Sequence, residues 1–462
     1  MKRFSIYTLL ISAILMGSCK KTLDVNDNPN LPIDVQESLL LAPAELNISD
    51  FVYAGSASVM VQYWMQSSAP NQTNPGFWNY NVFNRDYDGD WFNIYVNILK
   101  NLKLLNDKAE LNSNHNYAAV AKILTAYTLG AATGFWGDVP YSQAFKGADN
   151  YKPTYDKQED VYKSIQSLLD NAILDIAKNS SKKPGAEDYF YSGDMDKWKR
   201  LAYTLKARYY MHLTKAPGYN AQTQADLALA ALAQGMSADS DDLKFSYSGV
   251  AGAESILFTV FNPVSTLVLN QTYVEGFKTR VDPRLTKLVK PATATGLYTG
   301  RRIGTPPGSL SDYSYPANVN AGIAAPAYLV NYSEAIFLKA EATFIKSGAA
   351  AAQPIYQDGI RNHMLKLGVS ATPDIAAYLA LRGMLSSANA LQRIIEEKNI
   401  ANFFNLENYN DWRRTGFPAI TPVDGALSAI PRRLLYPETE LKTNPQPQQT
   451  AKVTDRIWWD AQ

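Results

Sequence analysis

Apolar residues recur along much of the chain at helical spacing. Val161, Ile165, Leu168, Ala172 and Ile176 form one stripe of a 3.6-residue period, and Asp156 followed by Glu159 gives that helix a capping-box-like start. A second stripe, Trp198, Leu201, Leu205, Tyr209 and Leu213, follows the turn-forming Ser192-Gly193-Asp194. A third, Ala335, Leu338, Ala342 and Ile345, lies within 332–346 and stops at Gly348, a residue suited to a helix C-terminus. Further helices are predicted over 118–133, 223–233, 355–367 and 391–404. Small residues at Ala118, Ala119, Ala121 and Ala126 let helices approach closely, which suits a tetratricopeptide-like stack, although no strict 34-residue repeat is present. The expected fold is mostly α, with tetratricopeptide-like helix pairs in one large domain over 33–462.

Two long stretches break the helical pattern, 66–91 and 245–326, both rich in Asn, Gly, Pro, Ser and Tyr. Loops of this length in a compact protein tend to carry function.

The N-terminus has a different pattern. Lys2 and Arg3 precede an apolar run through Leu9, Leu10, Ile11, Ala13, Ile14 and Leu15, and Gly17 and Ser18 lead to Cys19. This is the pattern of a secretory signal peptide over 1–18, too short for a membrane span. Leu15-Met16-Gly17-Ser18-Cys19 resembles a bacterial lipobox, which makes Cys19 the expected lipidation site and a lipid anchor the expected link to a membrane. Residues 19–32, with the turn formers Asn26-Asp27-Asn28-Pro29-Asn30, are expected to form a polar leash. No later segment is expected to span a membrane.

Composition narrows the chemistry. Lysine plus arginine number 44 against 43 acidic residues in 462, so no strongly basic nucleic-acid-binding face is expected. With three histidines and a single cysteine, the chain lacks the ligands for a His/Cys zinc site and cannot form an internal disulfide. Phosphate-loop, zinc-peptidase and nucleophile-elbow motifs are absent from the sequence. Asp86, Asp88 and Asp90 imitate the start of a calcium loop, but Trp91 stands where Gly is needed and Asn97 where a bidentate Glu belongs. No cofactor or metal is therefore expected; structural calcium stays an unsupported option. Paired carboxylates for glycoside hydrolysis depend on the fold, and Glu396, Glu397 and Glu407 are the candidates, with solvated faces and structural ion pairs as the competing reading.

The stretch 66–91 interleaves Asn71, Gln72 and Asn74 with Phe77, Trp78, Tyr80, Phe83, Tyr87 and Trp91. Flat rings beside amides suit sugars, whose C–H faces stack while their hydroxyls hydrogen-bond. The expected ligand contacts are Asn71, Gln72, Asn74, Trp78 and Tyr80 from this stretch and Tyr273, Tyr313 and Tyr315 from the later one. At least one ring is expected to be exposed, others to anchor the loops to the helices. Arg301 and Arg302 beside them are expected to be solvated rather than paired with an anion.

The sequence landmarks together resemble the SusD/RagB outer-membrane lipoproteins of Bacteroidota. They are the lipobox-like segment with Val25 to Asn30, Gly134-Phe135-Trp136-Gly137-Asp138-Val139-Pro140-Tyr141, the segment from Tyr332 to Ala342, the segment from Asn408 to Pro418, and Pro431-Arg432-Arg433-Leu434-Leu435-Tyr436-Pro437-Glu438. The resemblance implies a helical fold with few short strands, no catalytic residues, and structural roles for Tyr141, Glu334, Trp412 and Arg413. It also implies a cell-surface position on the outer membrane and a SusC-like TonB-dependent transporter as partner, with an oligosaccharide or, alternatively, a peptide as ligand. Lys20-Lys21-Thr22 lacks the acidic run associated with export to the outer leaflet, so an inward-facing lipoprotein stays open. Two readings of other classes also stay open: a helical glycoside hydrolase, and a lipid-tethered adaptor with a concave groove for a protein.

Overall fold

The computed structural model describes residues 35–262 and 266–461. The expected signal peptide, the leash and Cys19 lie outside these residues. The α-helices of seven or more residues are α1 (Glu37–Asn47), α2 (Ser56–Trp64), α3 (Lys100–Leu111), α4 (His115–Trp136), α5 (Gln158–Ile176), α6 (Met195–His212), α7 (Ala221–Leu232), α8 (Gln271–Thr279), α9 (Tyr332–Lys366), α10 (Ala376–Arg382), α11 (Ala390–Ala401) and α12 (Glu407–Thr415). Each long helix packs on the next: α1 on α3, α3 on α4, α4 on α5, α5 on α6, α6 on α7, α7 on α9 and α9 on α11. This succession of packed neighbours is the expected tetratricopeptide-like stack, and Glu37–Gln462 forms one compact unit.

The apolar stripes become the contact faces. Val161, Ile165 and Ala172 of α5 are fully buried, as are Trp198, Leu201 and Leu205 of α6. The run α9 is broken at Gly348 (φ 82°, ψ 178°), where the third stripe ends. One start differs from expectation. Asp156 does not cap α5; it accepts from the Tyr141 and Ser142 backbone N–H groups (2.7 and 2.8 Å), and Asp138 accepts from Gln158 N (2.8 Å) at the first turn. A bridge between Val139 and Asp156 brings the two aspartates together. The Gly134–Tyr141 motif is thus a joint between α4 and α5. Helix α4 also corrects the reading of membrane spans, since its 22 residues are long and apolar enough to cross a bilayer; the surrounding helices bury 89% of its apolar window.

Close approach is needed where α4 meets α6. A Cβ at Gly130 would stand 2.1 Å from the Tyr209 hydroxyl oxygen, which donates to the α4 carbonyl of Ala126 (3.3 Å). Gly130→Ala must displace that ring, and a loss of about 1–3 kcal/mol is expected from overpacking. A urea unfolding curve showing no loss would mean that α6 can shift freely, against the packing described.

Three short two-stranded antiparallel sheets tie down the long loops: β1 (Ser68–Pro70) with β3 (Leu267–Leu269), β2 (Leu243–Phe245) with β6 (Ala327–Val330), and β4 (Val289–Lys290) with β5 (Tyr315–Pro316). In the first, Ser68 stands opposite Leu269 and Pro70 opposite Leu267, so the stretch after α2 is fixed to the stretch before α8. Most of the residues expected to touch ligand follow these strands.

Candidate functional site

Three segments converge beyond β1 and β3: 71–80, 299–313 and 421–427. Arg301 joins the first two. It is fully buried, and its Nε donates to Asn71 Oδ1 (2.9 Å), its Nη1 to Arg302 O (3.0 Å), and its Nη2 to Gln72 O (3.0 Å) and Thr305 O (2.9 Å). No carboxylate pairs with it among the described residues, and burial pulls its pKa below the ordinary arginine range. The expectation of a solvated Arg301 is therefore corrected: the side chain is an internal strut, held by neutral acceptors whose carbonyl dipoles point at the cation. Arg302 is exposed and pairs with Asp424 (2.6 Å).

The amides expected to meet a ligand are largely occupied with shaping the loops. Asn71 receives the Arg301 bond, donates from Nδ2 to Gly308 O (2.7 Å) and accepts from Gly308 N (3.1 Å). Asn74 accepts from Trp78 Nε1 (3.0 Å) and donates to Asp424 O (3.2 Å). Gln72 is exposed and donates to Thr266 Oγ1 (3.1 Å).

The rings divide into anchors and exposed faces. Trp78, 9% exposed, packs against Ala69, Ile303, Tyr63 and Val423. Tyr80 is buried with its backbone in the left-handed region (φ 73°), and its hydroxyl accepts from Val423 N (3.2 Å). Tyr273 lies on α8 with its ring against Phe277 and Phe403, and its buried hydroxyl has no partner. Trp78 and Tyr80 do not present ring faces outward, because each fills the gap between a loop and the helical body, whereas Tyr273 is half-buried with its hydroxyl turned inward. Tyr87 and Trp91 are buried as well, whereas Phe77 and Phe83 are 39% and 45% exposed. Tyr313 and Tyr315 are half-buried. Tyr313 stands beside Gly308, where a Cβ would lie 2.8 Å from its hydroxyl.

Between these segments lies a polar cleft of about 160 Å³ whose lining includes Gln66, Gln271, Thr272, Arg302, Thr421 and Asp424. Thr272 Oγ1 donates to Gln66 Oε1 (2.7 Å), and Gln66 Nε2 donates to Thr421 O (2.5 Å), so the wall is internally bonded. Gln271 and Thr272, exposed at the start of α8, and the exposed Arg302–Asp424 pair give it amide, hydroxyl and charged groups at the surface. Sequence reading missed Gln271, Thr272 and Asp424. The signal for the first two would have been a helix start at Asn270, whose side chain accepts from Thr272 N (2.8 Å).

The carboxylates considered for hydrolysis are engaged elsewhere. Glu397 is buried against Arg284 (2.5 Å) and Tyr378. Glu407 is buried against His212 (2.8 Å). Glu396 pairs with Arg382 (2.9 Å) in a groove whose lining holds no second carboxylate among the described residues. Asp86, Asp88 and Asp90 accept from the N–H groups of Phe83 (2.6 Å), Thr439 (3.0 Å) and Ala57 (3.0 Å) respectively. Burial pushes Asp90 up to about 6. Among the described residues no group of three or more His, Cys, Asp or Glu is placed to hold a metal.

A family model named SusD-like, described as starch-binding and associating with the outer membrane, matches residues 29–437. Among solved structures the chain is similar to a chitin-binding protein, with 25% identity over 92% of this chain and 100% of that one (TM-score 0.80). It is similar to a SusD/RagB family protein from Bacteroides thetaiotaomicron, with 22% identity over 92% and 99% (TM-score 0.79). A third is a chitin-binding SusD homolog from Flavobacterium johnsoniae, with 22% identity over 92% and 98% (TM-score 0.77). No curated protein matches the chain.

Proposed function

The chain belongs to the SusD-like family, and from that premise we propose that it is a non-catalytic surface lipoprotein that captures glycans in the cleft at the start of α8. In this reading it is anchored through Cys19 at the outer membrane and passes its ligand to a SusC-like TonB-dependent transporter. The supporting observation is the construction of the cleft: Arg301 and the β1–β3 pair hold its walls, and Trp78 and Tyr80 brace it from behind. Such a site is preorganised, so little ordering entropy opposes binding. Gln271, Thr272, Arg302 and Asp424 of its lining supply hydrogen bonds, and the exposed Gln72 and Phe77 and the half-buried Tyr313 and Tyr315 of the neighbouring loops are further contacts outside the lining. A lipid tether keeps captured sugar near the pore at high effective concentration, so modest affinity suffices.

The test is electrophoresis of the full chain in mild detergent through gels containing soluble starch or glycol chitin, with a reducing-end assay on the same mixtures. Retardation without new reducing ends is expected. Phe77→Ala combined with Tyr313→Ala should weaken it about tenfold, since a stacked ring contributes about 0.5–1.5 kcal/mol. New reducing ends would replace this reading with a hydrolase. Full retention by the double variant would remove the aromatic component.

A further inference from the structure

The C-terminal end of α8 leads into a second groove, of about 460 Å³, whose lining carries three guanidinium groups, Arg280, Arg382 and Arg393, with Gln392 and Asn389 beside them and Glu396 as the single carboxylate. The three arginines are not equally engaged. Arg382 is taken up by Glu396 (2.9 Å), Glu397 (3.2 Å) and the Tyr356 hydroxyl (3.0 Å). Arg393 donates from Nη1 to the Met384 carbonyl (2.9 Å) and pairs with no acid among the described residues. Arg280 pairs with no acid either; its Nε is sealed from solvent without an acceptor, and its guanidinium carbon lies 5.8 Å from the Phe277 ring centre. Asp282, the next acid along the chain, gives both carboxylate oxygens to Arg284 (Oδ1 to Nε at 2.9 Å, Oδ2 to Nη2 at 2.7 Å). The local carboxylates are hydrogen-bonded to Arg284 and Arg382; the charge of Asp282 still acts on Arg280, but Arg280 and Arg393 face the cavity without a direct ion pair among the described residues.

Guanidinium forks with unused N–H groups match the two or three oxygens of a carboxylate or sulfate. Gly276 lies under the Arg280 guanidinium: a Cβ there would stand 3.4 Å from Nη1 and Nη2, in van der Waals contact. The first turn of α11, from which Arg393 projects, lies against the same space, and its dipole favours negative charge there. Helix α8 connects this groove to the polar cleft: Gln271 and Thr272 line the cleft, Thr279 and Arg280 the groove. Nine residues of helix span about 13 Å, within reach of one oligosaccharide.

We propose that the Arg280–Arg393 groove binds a carboxylate or sulfate substituent of an acidic oligosaccharide whose neutral part occupies the cleft. This rests on the glycan-capture reading, and the experiment separates the two. Inorganic sulfate and D-glucuronate are titrated calorimetrically into the full chain in detergent at fixed ionic strength. Saturable binding of at least one is expected, weakened about tenfold or more (about 1.4 kcal/mol) in Arg280→Ala/Arg393→Ala, with Arg280→Lys/Arg393→Lys intermediate as the check that the fold is intact. Alongside, the neutral polysaccharide that retards the chain is compared with its carboxymethylated form. The charged form should retard more, and the double alanine variant should erase that difference while keeping the neutral retardation. No saturable anion binding, or binding equal in wild type and double variant, overturns the groove. Anion binding with equal retardation by the charged and neutral polymers overturns the link to the cleft, leaving a free-oxyanion site. Anion binding with retardation by no polymer leaves the groove standing and rejects glycan capture.

Discussion

Arg208→Ala is expected to destabilise the protein by about 3–5 kcal/mol, the range for breaking a buried ion pair from one side. Arg208 and Glu334 are almost completely inaccessible, and Arg208 Nε and Nη2 donate to Glu334 Oε1 and Oε2 (2.8 and 2.7 Å). The fork ties α6 to the first turn of α9, while a third bond reaches the Leu329 carbonyl of β6 (3.3 Å). Removing the arginine leaves the buried Glu334 with Lys398 Nζ, 4.0 Å away and already paired with Asp411 (3.0 Å), as its remaining cation. Arg208 Nη1 also stands 4.0 Å from Glu407 Oε1, which extends the damage to α12. Arg208→Met with Glu334→Leu should recover much of the loss, because neither charge is then stranded. Urea midpoints followed by circular dichroism decide it, and a single-variant cost below about 1 kcal/mol, the scale of an exposed pair, would mean that the pair is solvated.

The same network sets an acid limit. Burial alone would raise the pKa of Glu407, but the charges of His212 and Arg208 outweigh it and hold the carboxyl far below its ordinary value of 4.5. A carboxylate with a depressed folded pKa contributes stability above its unfolded value and loses it as protons bind. The urea midpoint should accordingly fall as pH drops below about 4.5. In Glu407→Gln that decline should be shallower, from a lower starting stability.

These buried charges also explain what could be read from the sequence. The α5 and α6 stripes were legible because Val161, Ile165, Trp198 and Leu201 recur at helical spacing and face a core of the same character. Helices α1 and α2 were not, because Glu45, Ser58 and Gln62 are buried beside their apolar residues and blur the period. The structural roles of Glu334 and Arg413 came from the family resemblance; Arg413 lies between the rings of Tyr409 and Trp459, 4.0 and 4.8 Å from their centres. The site was legible only as a stretch of chain. Whether Trp78 faces in or out is decided by Ile303 and Val423, more than 200 residues away in sequence, and no local pattern carries that information. Arg301 looked solvated for the same reason: its acceptors at Asn71 and Gln72 arrive through the pairing of β1 with β3.

Arg301 is accordingly where the function is most exposed to a single change. Arg301→Ala should abolish glycan retardation while leaving the helical stack intact. The guanidinium holds four acceptors from two stretches of loop, and hydrogen bonds to a charged group contribute about 1.5–3 kcal/mol each. Asn71 Oδ1 keeps its bond from Gly308 N, but the Gln72 and Thr305 carbonyls lose their donors and must turn to water. The cleft wall formed by Arg302 and Ile303 then loses its support, whereas α1 to α7 make none of these contacts. Affinity should fall at least about tenfold, the equivalent of 1.4 kcal/mol, with unchanged helicity and faster amide exchange confined to 71–74 and 299–308. Arg301→Lys should not rescue it, because an ammonium cannot hold three carbonyls and an amide in a planar fork. Retardation that survives in Arg301→Ala together with the local increase in exchange would show that the glycan binds elsewhere on the molecule.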